Sequence, residues 1–262
     1  MQINRRSLKA RIQAGELTLG SWLSFGFTPV TEMMADCGFD WLVIDMEHTA
    51  IDTGQMLQMI QVIDLHGVVP LVRVGDNDPL LIKRALDSGA HGVVVPMVNN
   101  AEDAKRAVES AYYPPRGKRG VGLSRAQDYG SGFNEYKEWA SASTVVIVQI
   151  EHIEAVRNLQ SILTVDGVDG FIVGPYDLSG SLGLPGQFDH PTVKAALETV
   201  KDAMKGEGVR GGYHVVQSNH ESLRSKIAEG YKFIAYGDDM VLLREKLEDE
   251  RTFLKPIFRN RT

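Results

Sequence analysis

The sequence predicts a single α/β domain, residues 1–262, folded as a (β/α)8 TIM barrel of eight parallel strands with an additional N-terminal helix. The chain has 262 residues, 43% of them hydrophobic and 24% charged, which is the usual size of such a barrel. Short apolar runs alternate with longer helical runs, and eight of each follow the first helix. The short runs are apolar nearly throughout, which is typical of a parallel sheet buried on both faces and favours a closed barrel over an open doubly wound sheet.

Residues that begin or end helices bound the predicted elements. Gly15 and Gly38 follow the first two helices, where a C-cap is expected, and Pro79 stands in the first turn of a later helix. Helices are predicted over residues 4–14, 29–37, 53–65, 79–88, 101–111, 154–162, 191–205, 220–228 and 240–250. Strands are predicted over residues 19–25, 39–45, 68–74, 92–98, 145–150, 170–174, 211–216 and 232–237.

One connection stands out by its length. Residues 112–132 read YYPPRGKRGVGLSRAQDYGSG and are rich in Gly, Pro and Arg. A segment of this length without its own secondary structure is uncommon in a compact domain and is usually functional. The sequence therefore predicts a lid or binding loop here.

Composition excludes several classes of function. The formal charge of −6 and the pI near 5.7 argue against nucleic acid or an anionic membrane surface as a partner, because either calls for a basic surface. Cys37 is the only cysteine, so we expect no internal disulfide, no cysteine-based zinc site and a reducing cytoplasm. No apolar run approaches the length of a bilayer span, and no glycine-rich dinucleotide or P-loop motif opens the first helix.

Two carboxylates follow neighbouring predicted strands. Glu151 comes after VVIVQI and Asp177 comes shortly after GFIVG. Neighbouring parallel strands joined by a right-handed crossover have their carboxyl ends on the same edge of the sheet, so the two side chains converge. A divalent cation with oxygen ligands is one way to hold them together, and capping of the following helices is the alternative.

The other strand ends at this rim are polar too. In such a barrel the chemistry lies on the carboxyl-terminal rim. The residues at the rim include Asp45, Glu47, His48, Arg73, Gln149, Glu151 and Asp177. A salt bridge from Arg73 to Asp45 or Glu47 is compatible with function, and His48 has the alternative of being an ordinary surface residue. His152, His214 and His220 are interpreted as satisfied or supporting histidines, because nothing in the sequence pairs them.

Several segments in order carry a resemblance that covers residues 20–244. They are GFDWLVIDMEH, PLVRVGDNDP, IKRALDSGAHGVVVPMV, YYPPRGKRGVG, VQIE and GPYDLSGSLG. The chain resembles the HpcH/HpaI aldolase family of metal-dependent pyruvate aldolases. The resemblance implies a (β/α)8 barrel and a hexamer, a trimer of dimers, in which the last helix packs on a neighbouring barrel.

The resemblance also implies roles for single residues. It places the metal ligands on Glu151 and Asp177, the catalytic histidine on His48, its paired aspartate on Asp87 and the substrate arginine on Arg73. It places substrate-binding groups on Gln149 and Asp177 and on the backbone amide of Tyr176, with the loop Arg119–Gly122 near the pocket. Many family members have a small residue at the position of Tyr176, so its phenol is expected to reshape the pocket and the preference for the acceptor aldehyde.

The residues support a metal-dependent reaction on independent grounds. Cleaving a bond beside a hydroxyl needs an electron sink, and an aldolase without a metal uses a lysine Schiff base. The only lysine in a predicted strand is Lys232, at the amino-terminal end of strand eight, far from the rim. A cation such as Mg²⁺, Mn²⁺ or Co²⁺ is therefore the expected sink, with Arg73 opposite the developing negative charge and His48 moving the hydroxyl proton.

The predicted activity is reversible cleavage of a 4-hydroxy-2-oxo acid, of the 2-keto-3-deoxy sugar acid or 4-hydroxy-2-oxoheptanedioate type, to pyruvate and an aldehyde. A lyase of the citrate-lyase or phosphoenolpyruvate-mutase type, acting on another 2-oxo acid or a coenzyme A thioester, is the alternative. It would need the cations of Lys118, Arg119 and Arg125 for coenzyme A. A barrel that binds a metal without catalysis is a third possibility, opposed by the full set of competent residues.

Overall fold

The computed structural model of the chain describes residues 7–206 and 210–259. Eight parallel strands close into a barrel in which each strand pairs with the next along the chain and the last pairs with the first. The strands are β1 Thr18–Leu23, β2 Trp41–Asp45, β3 Val69–Arg73, β4 Gly92–Val95, β5 Val145–Ile150, β6 Gly170–Val173, β7 Gly211–Val215 and β8 Phe233–Asp238. The predicted fold class is confirmed.

Helices surround the barrel. They are α1 Leu8–Gln13, α2 Thr28–Asp36, α3 Thr53–Leu65, α4 Pro79–Asp87, α5 Ala101–Ala111, α6 Phe133–Ser143, α7 Ile153–Arg157, α8 Leu159–Leu163, α9 Pro175–Ser181, α10 Pro191–Ala203, α11 His220–Ala228 and α12 Asp239–Arg259. A 3₁₀ segment, Arg125–Gly130, lies between α5 and α6. In the described part of the chain, no helix is both long enough and apolar enough to cross a bilayer.

The core has two layers. The first lies between the outer face of the strands and the helices, and the second fills the barrel interior. In the interior, Trp41 stacks on Phe233 with ring centroids 4.1 Å apart. Gly20 makes room for that indole, because a Cβ there would lie 2.1 Å from the Trp41 ring. Large side chains thus fill the barrel interior as a packed core, so a site for chemistry is expected at the rim.

Helix α1 closes the amino-terminal end of the barrel. Leu8 and Ile12 join the interior cluster. Between them Lys9 is buried, with its ammonium 2.7 Å from Asp169 and a hydrogen bond to the Tyr112 hydroxyl. A buried ammonium with these partners ties the helix to the barrel floor, because leaving either charge unpaired would be costly. Of the predicted N-terminal helix, residues 4–6 lie outside the described residues.

Two helices of the structure were not predicted, and one predicted helix is divided. Helix α6 was not predicted; it buries only Ala140, so its apolar pattern is weak. Helix α9, also not predicted, follows β6 directly from a Pro-Tyr-Asp start. The predicted helix 154–162 is divided into α7 and α8 at Asn158, whose φ of −99° and ψ of 6° are not helical.

Candidate active site

The carboxyl-terminal mouth of the barrel is polar, whereas the interior below it is apolar. Successive residues of a strand face opposite sides. Val43, Leu71 and Ile147 lie in the interior cluster, so the residues two positions further along β2, β3 and β5 also face inward. Tyr213 and Val215 of β7 pack in the outer layer, so the residue between them faces inward. The inward positions at the mouth are therefore Asp45, Arg73, Gln149 and His214.

Arg73 is held by two hydrogen bonds to one carboxylate. Its Nε donates to Asp45 Oδ1 at 2.9 Å and its Nη2 to Asp45 Oδ2 at 2.7 Å, with the guanidinium 4.4 Å from the centroid of the Trp22 ring. Burial acts to raise the pKa of Asp45, but the hydrogen bonds and charge of Arg73 outweigh it and the pKa is lowered. The predicted salt bridge from Arg73 to Asp45 is present and fixes the orientation of the guanidinium.

Glu151 lies directly after β5 and is buried. Its Oε1 accepts a hydrogen bond from the backbone N–H of Met97 at 2.6 Å, and its Oε2 accepts one from Gln149 Nε2. Gly174 lies against the same carboxylate, since a Cβ there would be 3.3 Å from Oε2. Burial raises the pKa of Glu151, and the charge of Asp177 acts in the same direction.

Asp177 stands in the first turn of α9, and its side chain is exposed at the mouth. A third carboxylate, Glu47, lies close by and is 15% exposed. Burial raises the pKa of Glu47 to about 7; Arg73 opposes this shift, while the charges of Glu151, Asp45 and Asp177 add to it. The mouth therefore crowds negative charge around a single guanidinium.

These residues fit a divalent cation. Glu47 Oε2 is buried, 3.3 Å from Arg73 Nε, without a hydrogen bond to any residue that the structure describes. The available donors are carboxylate oxygens, which suit hard cations such as Mg²⁺ and Mn²⁺. Within residues 7–206 and 210–259, no group of three or more His, Cys, Asp or Glu side chains is placed so that it could hold a metal ion. A site on Glu151 and Asp177 thus leaves positions for water and substrate.

A small cavity of about 60 Å³ adjoins these groups. A water molecule needs roughly 10–15 Å³ measured in this way, so the cavity holds a fragment of only a few non-hydrogen atoms. Its lining combines polar and apolar side chains, among them Trp22, Arg73, Gln149, Ile172, Tyr176, Asp177 and His214. The lining is that of a site for a small, anionic, partly apolar molecule.

Comparison with known proteins identifies the family of the chain. The sequence model of the HpcH/HpaI aldolase/citrate lyase family matches residues 20–245. The chain belongs to this family. It is 38% identical over 245 residues to the hydroxypyruvate/pyruvate aldolase of Sagittula stellata, covering 93% of this chain and 96% of that protein. It is 39% identical over 244 residues to the 4-hydroxy-2-oxo-heptane-1,7-dioate aldolase of Shigella sonnei, covering 92% of each chain.

A solved structure supports the same assignment. An HpcH/HpaI aldolase/citrate lyase family protein from Burkholderia cenocepacia J2315 superposes with a TM-score of 0.87 at 35% sequence identity. The superposition covers 95% of this chain and 98% of that one. The predicted family is therefore confirmed over nearly the whole barrel.

Two of the predicted site residues, His48 and Asp87, are not paired with each other within one chain. The imidazole of His48 is 60% exposed and lies 3.7 Å from Glu47 Oε2. Asp87 instead accepts a hydrogen bond from Arg119 Nη2 at 2.6 Å. Asp87 ends α4, a helix of 9 residues that starts near the rim after β3, so it lies roughly 13 Å down the barrel. The pairing of His48 with Asp87 remains a prediction.

The arginine-rich loop is not at the mouth of its own barrel. It follows α5 and precedes β5, so it lies on the amino-terminal side of the barrel. There it packs against the end of α4. The three loop cations proposed to bind coenzyme A are all paired: Lys118 with Glu109, Arg119 with Asp87 and Arg125 with Asp64. The cations that a coenzyme A thioester would need are thus engaged elsewhere and lie far from the site, which weakens the alternative function.

Sequence reasoning missed three contributors to the mouth. Trp22 packs under Arg73, the backbone of Met97 orients Glu151, and His214 lines the cavity. Met97 contributes only its backbone, and its φ of 54° could not be predicted from the residue pattern. The inward position of His214 was predictable in principle. Side chains alternate along the strand GGYHVV, so placing Tyr213 and Val215 in the outer layer would have placed His214 on the inner face.

Proposed function

We propose that this protein is a metal-dependent aldolase that cleaves 4-hydroxy-2-oxo acids reversibly to pyruvate and an aldehyde. The observation that carries the proposal is the convergence of Asp177, Gln149 and the fixed guanidinium of Arg73 on one small cavity, with Glu151 hydrogen-bonded to Gln149. Relatives named as aldolases for hydroxypyruvate and pyruvate, and for 4-hydroxy-2-oxo-heptane-1,7-dioate, support it. We expect Tyr176, which lines the cavity, to influence which aldehyde the enzyme uses.

Glu151 and Asp177 would hold the divalent cation, Mg²⁺, Mn²⁺ or Co²⁺. When bound, the cation polarises the 2-oxo group of the substrate and withdraws electrons from the adjacent carbon. Gln149 keeps Glu151 in place through its Nε2 and leaves its own buried Oε1 without a protein partner among the described residues. The first-turn amides of α9, Tyr176 among them, have no partner within the helix and bind the substrate carboxylate.

Arg73 and His48 serve the bond-breaking step. The C3–C4 bond breaks, its electrons move to C3 and the 2-oxo oxygen as an enolate, and the C4 hydroxyl becomes the aldehyde carbonyl. His48 takes the hydroxyl proton. Arg73 stabilises the oxygen that gains negative charge, and Asp45 fixes its planar fork in advance. Protonation of C3 then gives pyruvate.

The protein is proposed to act as a cytoplasmic homohexamer, a trimer of dimers, in which α12 packs on a neighbouring barrel. Apolar side chains recur along the exposed length of α12, which supports a partner there; they are Leu243, Leu247, Leu254, Ile257 and Phe258. Assembly would also explain Asp87, because only a second copy of the chain could bring it to His48. The acidic composition supports small-molecule partners over nucleic acid or a membrane.

A substrate screen tests the proposal. A panel of 4-hydroxy-2-oxo acids is assayed for pyruvate release with Mg²⁺, Mn²⁺ or Co²⁺ and with EDTA, and coenzyme A thioesters are assayed alongside. We expect pyruvate release that requires the cation and does not require coenzyme A. Cleavage of a thioester without release from any hydroxy-oxo acid would instead establish the citrate-lyase-like alternative.

A further inference from the structure

Helix α11 leaves a space between itself and the barrel. It buries none of its residues, and its two large apolar side chains, Leu223 and Ile227, pack against the outer layer of the core while only partly buried. A cavity of about 150 Å³ lies between α11, the end of β7 and the start of α9. A water molecule needs roughly 10–15 Å³ in this measure, so the cavity has room for about ten non-hydrogen atoms.

Aromatic and apolar side chains form much of the wall of this cavity. The rings of Tyr176 and Phe188 meet edge to face, with centroids 4.9 Å apart and planes at 89°. Tyr213, Val215 and Val216 line the cavity as well. Aromatic rings favour edge-to-face or offset partners, and a further flat ring supplies such a partner. The cavity therefore suits an aromatic ligand.

The loop that carries Phe188 is held in place by a buried side chain. Ser179 is fully buried, and its Oγ accepts a hydrogen bond from the Gly186 N–H at 2.9 Å. The backbone carbonyl oxygen of Ser179 accepts another from the Leu184 N–H at 2.9 Å. Gly186 has a φ of 73°, which favours glycine. The fold thus positions the Phe188 ring in advance, which lowers the entropy that a ligand loses the protein on binding.

The cavity offers hydrogen bonds without a net charge. Lys226 lines it, and both carboxylate oxygens of Glu229 accept hydrogen bonds from the Lys226 Nζ at 3.0 Å. Burial lowers the pKa of His214 to about 3, so this second basic residue of the lining is neutral near pH 7. The side chains of Gln217 and Ser222 bond to no residue that the structure describes and are free to donate to a ligand or accept from it.

The cavity adjoins the proposed active site. It shares Pro175, Tyr176, His214 and Val216 with the small cavity at the mouth. The first two of these begin α9, and the next residue is Asp177, a proposed metal ligand. Tyr176 is 46% exposed. A ligand that packs on its ring would cover the ring and fix the start of α9, where the substrate carboxylate is proposed to bind.

We propose that the cavity between α9, β7 and α11 is an effector site for a small neutral aromatic molecule with an amide or hydroxyl group, and that its occupant raises the affinity of the active site for a 2-oxo acid. Two ligands that order the same segment bind cooperatively, because the second no longer bears the cost of ordering it. The coupling is reciprocal, so a 2-oxo acid raises the affinity for the aromatic molecule by the same factor. The coupling rests on the proposed function, whereas the binding of the aromatic molecule does not.

Benzamide is the probe for binding, and acetamide, which lacks the ring, is the control ligand. Ligand-observed NMR measures the affinity of each for the wild type, Ser222→Trp, Phe188→Ala and Glu221→Trp. The first variant fills the cavity and the second removes one ring of its wall, so we expect the affinity for benzamide to fall about tenfold or more in both. Glu221 is exposed and lies outside the lining, so Glu221→Trp should bind benzamide like the wild type. Acetamide should bind at least about tenfold more weakly than benzamide.

Calorimetry with Mg²⁺ present measures the coupling. Saturating benzamide should lower the Kd of pyruvate for the wild type about fivefold or more, and saturating pyruvate should lower the Kd of benzamide by the same factor. In Ser222→Trp, whose cavity is filled, benzamide should leave the Kd of pyruvate unchanged.

The outcomes separate the site from its effect. Failure of benzamide to bind the wild type, or equal affinity for Ser222→Trp, would refute the site; circular dichroism checks the fold, and Phe188→Ala decides if the tryptophan variant does not fold. Benzamide bound in the cavity with an unchanged Kd for pyruvate would refute the effector role. The proposed function fails separately, if the wild type with Mg²⁺ neither binds pyruvate nor releases it from any 4-hydroxy-2-oxo acid. The effector role then fails with it, while the affinity for benzamide still decides the site.

Discussion

At the scale of the residue, Arg73 is a guanidinium with two of its three nitrogens already bound to Asp45. The remaining Nη1 is therefore aimed by the protein rather than by the substrate. Arg73→Lys keeps the charge but loses the fork, so we expect kcat for pyruvate release to fall on the order of 10²-fold or more. Arg106→Lys, the same change in an exposed pair with Asp103, is the control. A rise in KM with kcat unchanged would make Arg73 a binding residue only.

His48 and the cation serve different steps, and two assays separate them. Cleavage needs a proton taken from the C4 hydroxyl, whereas hydrogen exchange at the methyl of pyruvate needs only enolisation. His48→Ala should lose cleavage by roughly 10²- to 10⁴-fold and lose exchange in D₂O much less. Asp87→Asn should give a milder form of the same pattern, because it would leave the imidazole present but misoriented. Equal loss of both activities in His48→Ala would assign the histidine to enolate protonation or to the structure of the site.

Glu47 makes the metal-free protein sensitive to pH. Its pKa is raised to about 7, mainly by burial, from an ordinary value of 4.5. Between these pH values the folded state keeps a proton that the unfolded chain has released, so the contribution of Glu47 to stability falls as the pH rises. In EDTA, we expect the Tm of the wild type to decline more steeply from pH 4.5 to 7 than the Tm of Glu47→Gln. Parallel melting curves for the two proteins would refute this.

At the scale of the element, α12 presents an exposed apolar face. It runs for 21 residues, and its apolar side chains at positions 243, 247, 254 and 257 recur at helical spacing while remaining 37–55% exposed. Leu247→Glu with Leu254→Glu should dissociate the proposed hexamer, which light scattering after gel filtration would measure. Glu250→Gln, on the same helix, is the control. A wild type that is monomeric at micromolar concentration would rule out the assembly.

The elements also show how far sequence patterns reach. Helices α3, α5 and α11 begin and end at the predicted residues, and Asp52, Asn100 and Asn219 cap their first turns, which fixes where they begin. Helix α6 was missed because it carries one buried residue, too few for a periodic pattern. Strand ends at Arg73 and Glu151 were predictable because parallel strands meet at one rim. The position of Asp87 could not be predicted, because the resemblance pairs Asp87 with His48 without saying whether both residues belong to the same chain.

At the scale of the whole molecule, the barrel separates stability from chemistry. Helix α1 and the buried pair of Lys9 and Asp169 close one end, while the other end gathers four carboxylates, Asp45, Glu47, Glu151 and Asp177, around one arginine. That excess of negative charge costs stability unless a cation offsets it. The proposed function therefore depends on a divalent cation at Glu151 and Asp177 that permits enolisation of a 2-oxo acid.

Proton exchange at the methyl of pyruvate, followed by NMR in D₂O, tests that claim most directly. The protein is stripped with EDTA and assayed before and after addition of Mg²⁺, Mn²⁺ or Co²⁺, with Glu151→Gln and Asp177→Asn beside the wild type. We expect no exchange without a cation, recovery with it, and sharply weakened cation binding in both variants with the fold intact by circular dichroism. Full exchange in a demonstrably metal-free preparation of the wild type would contradict the account.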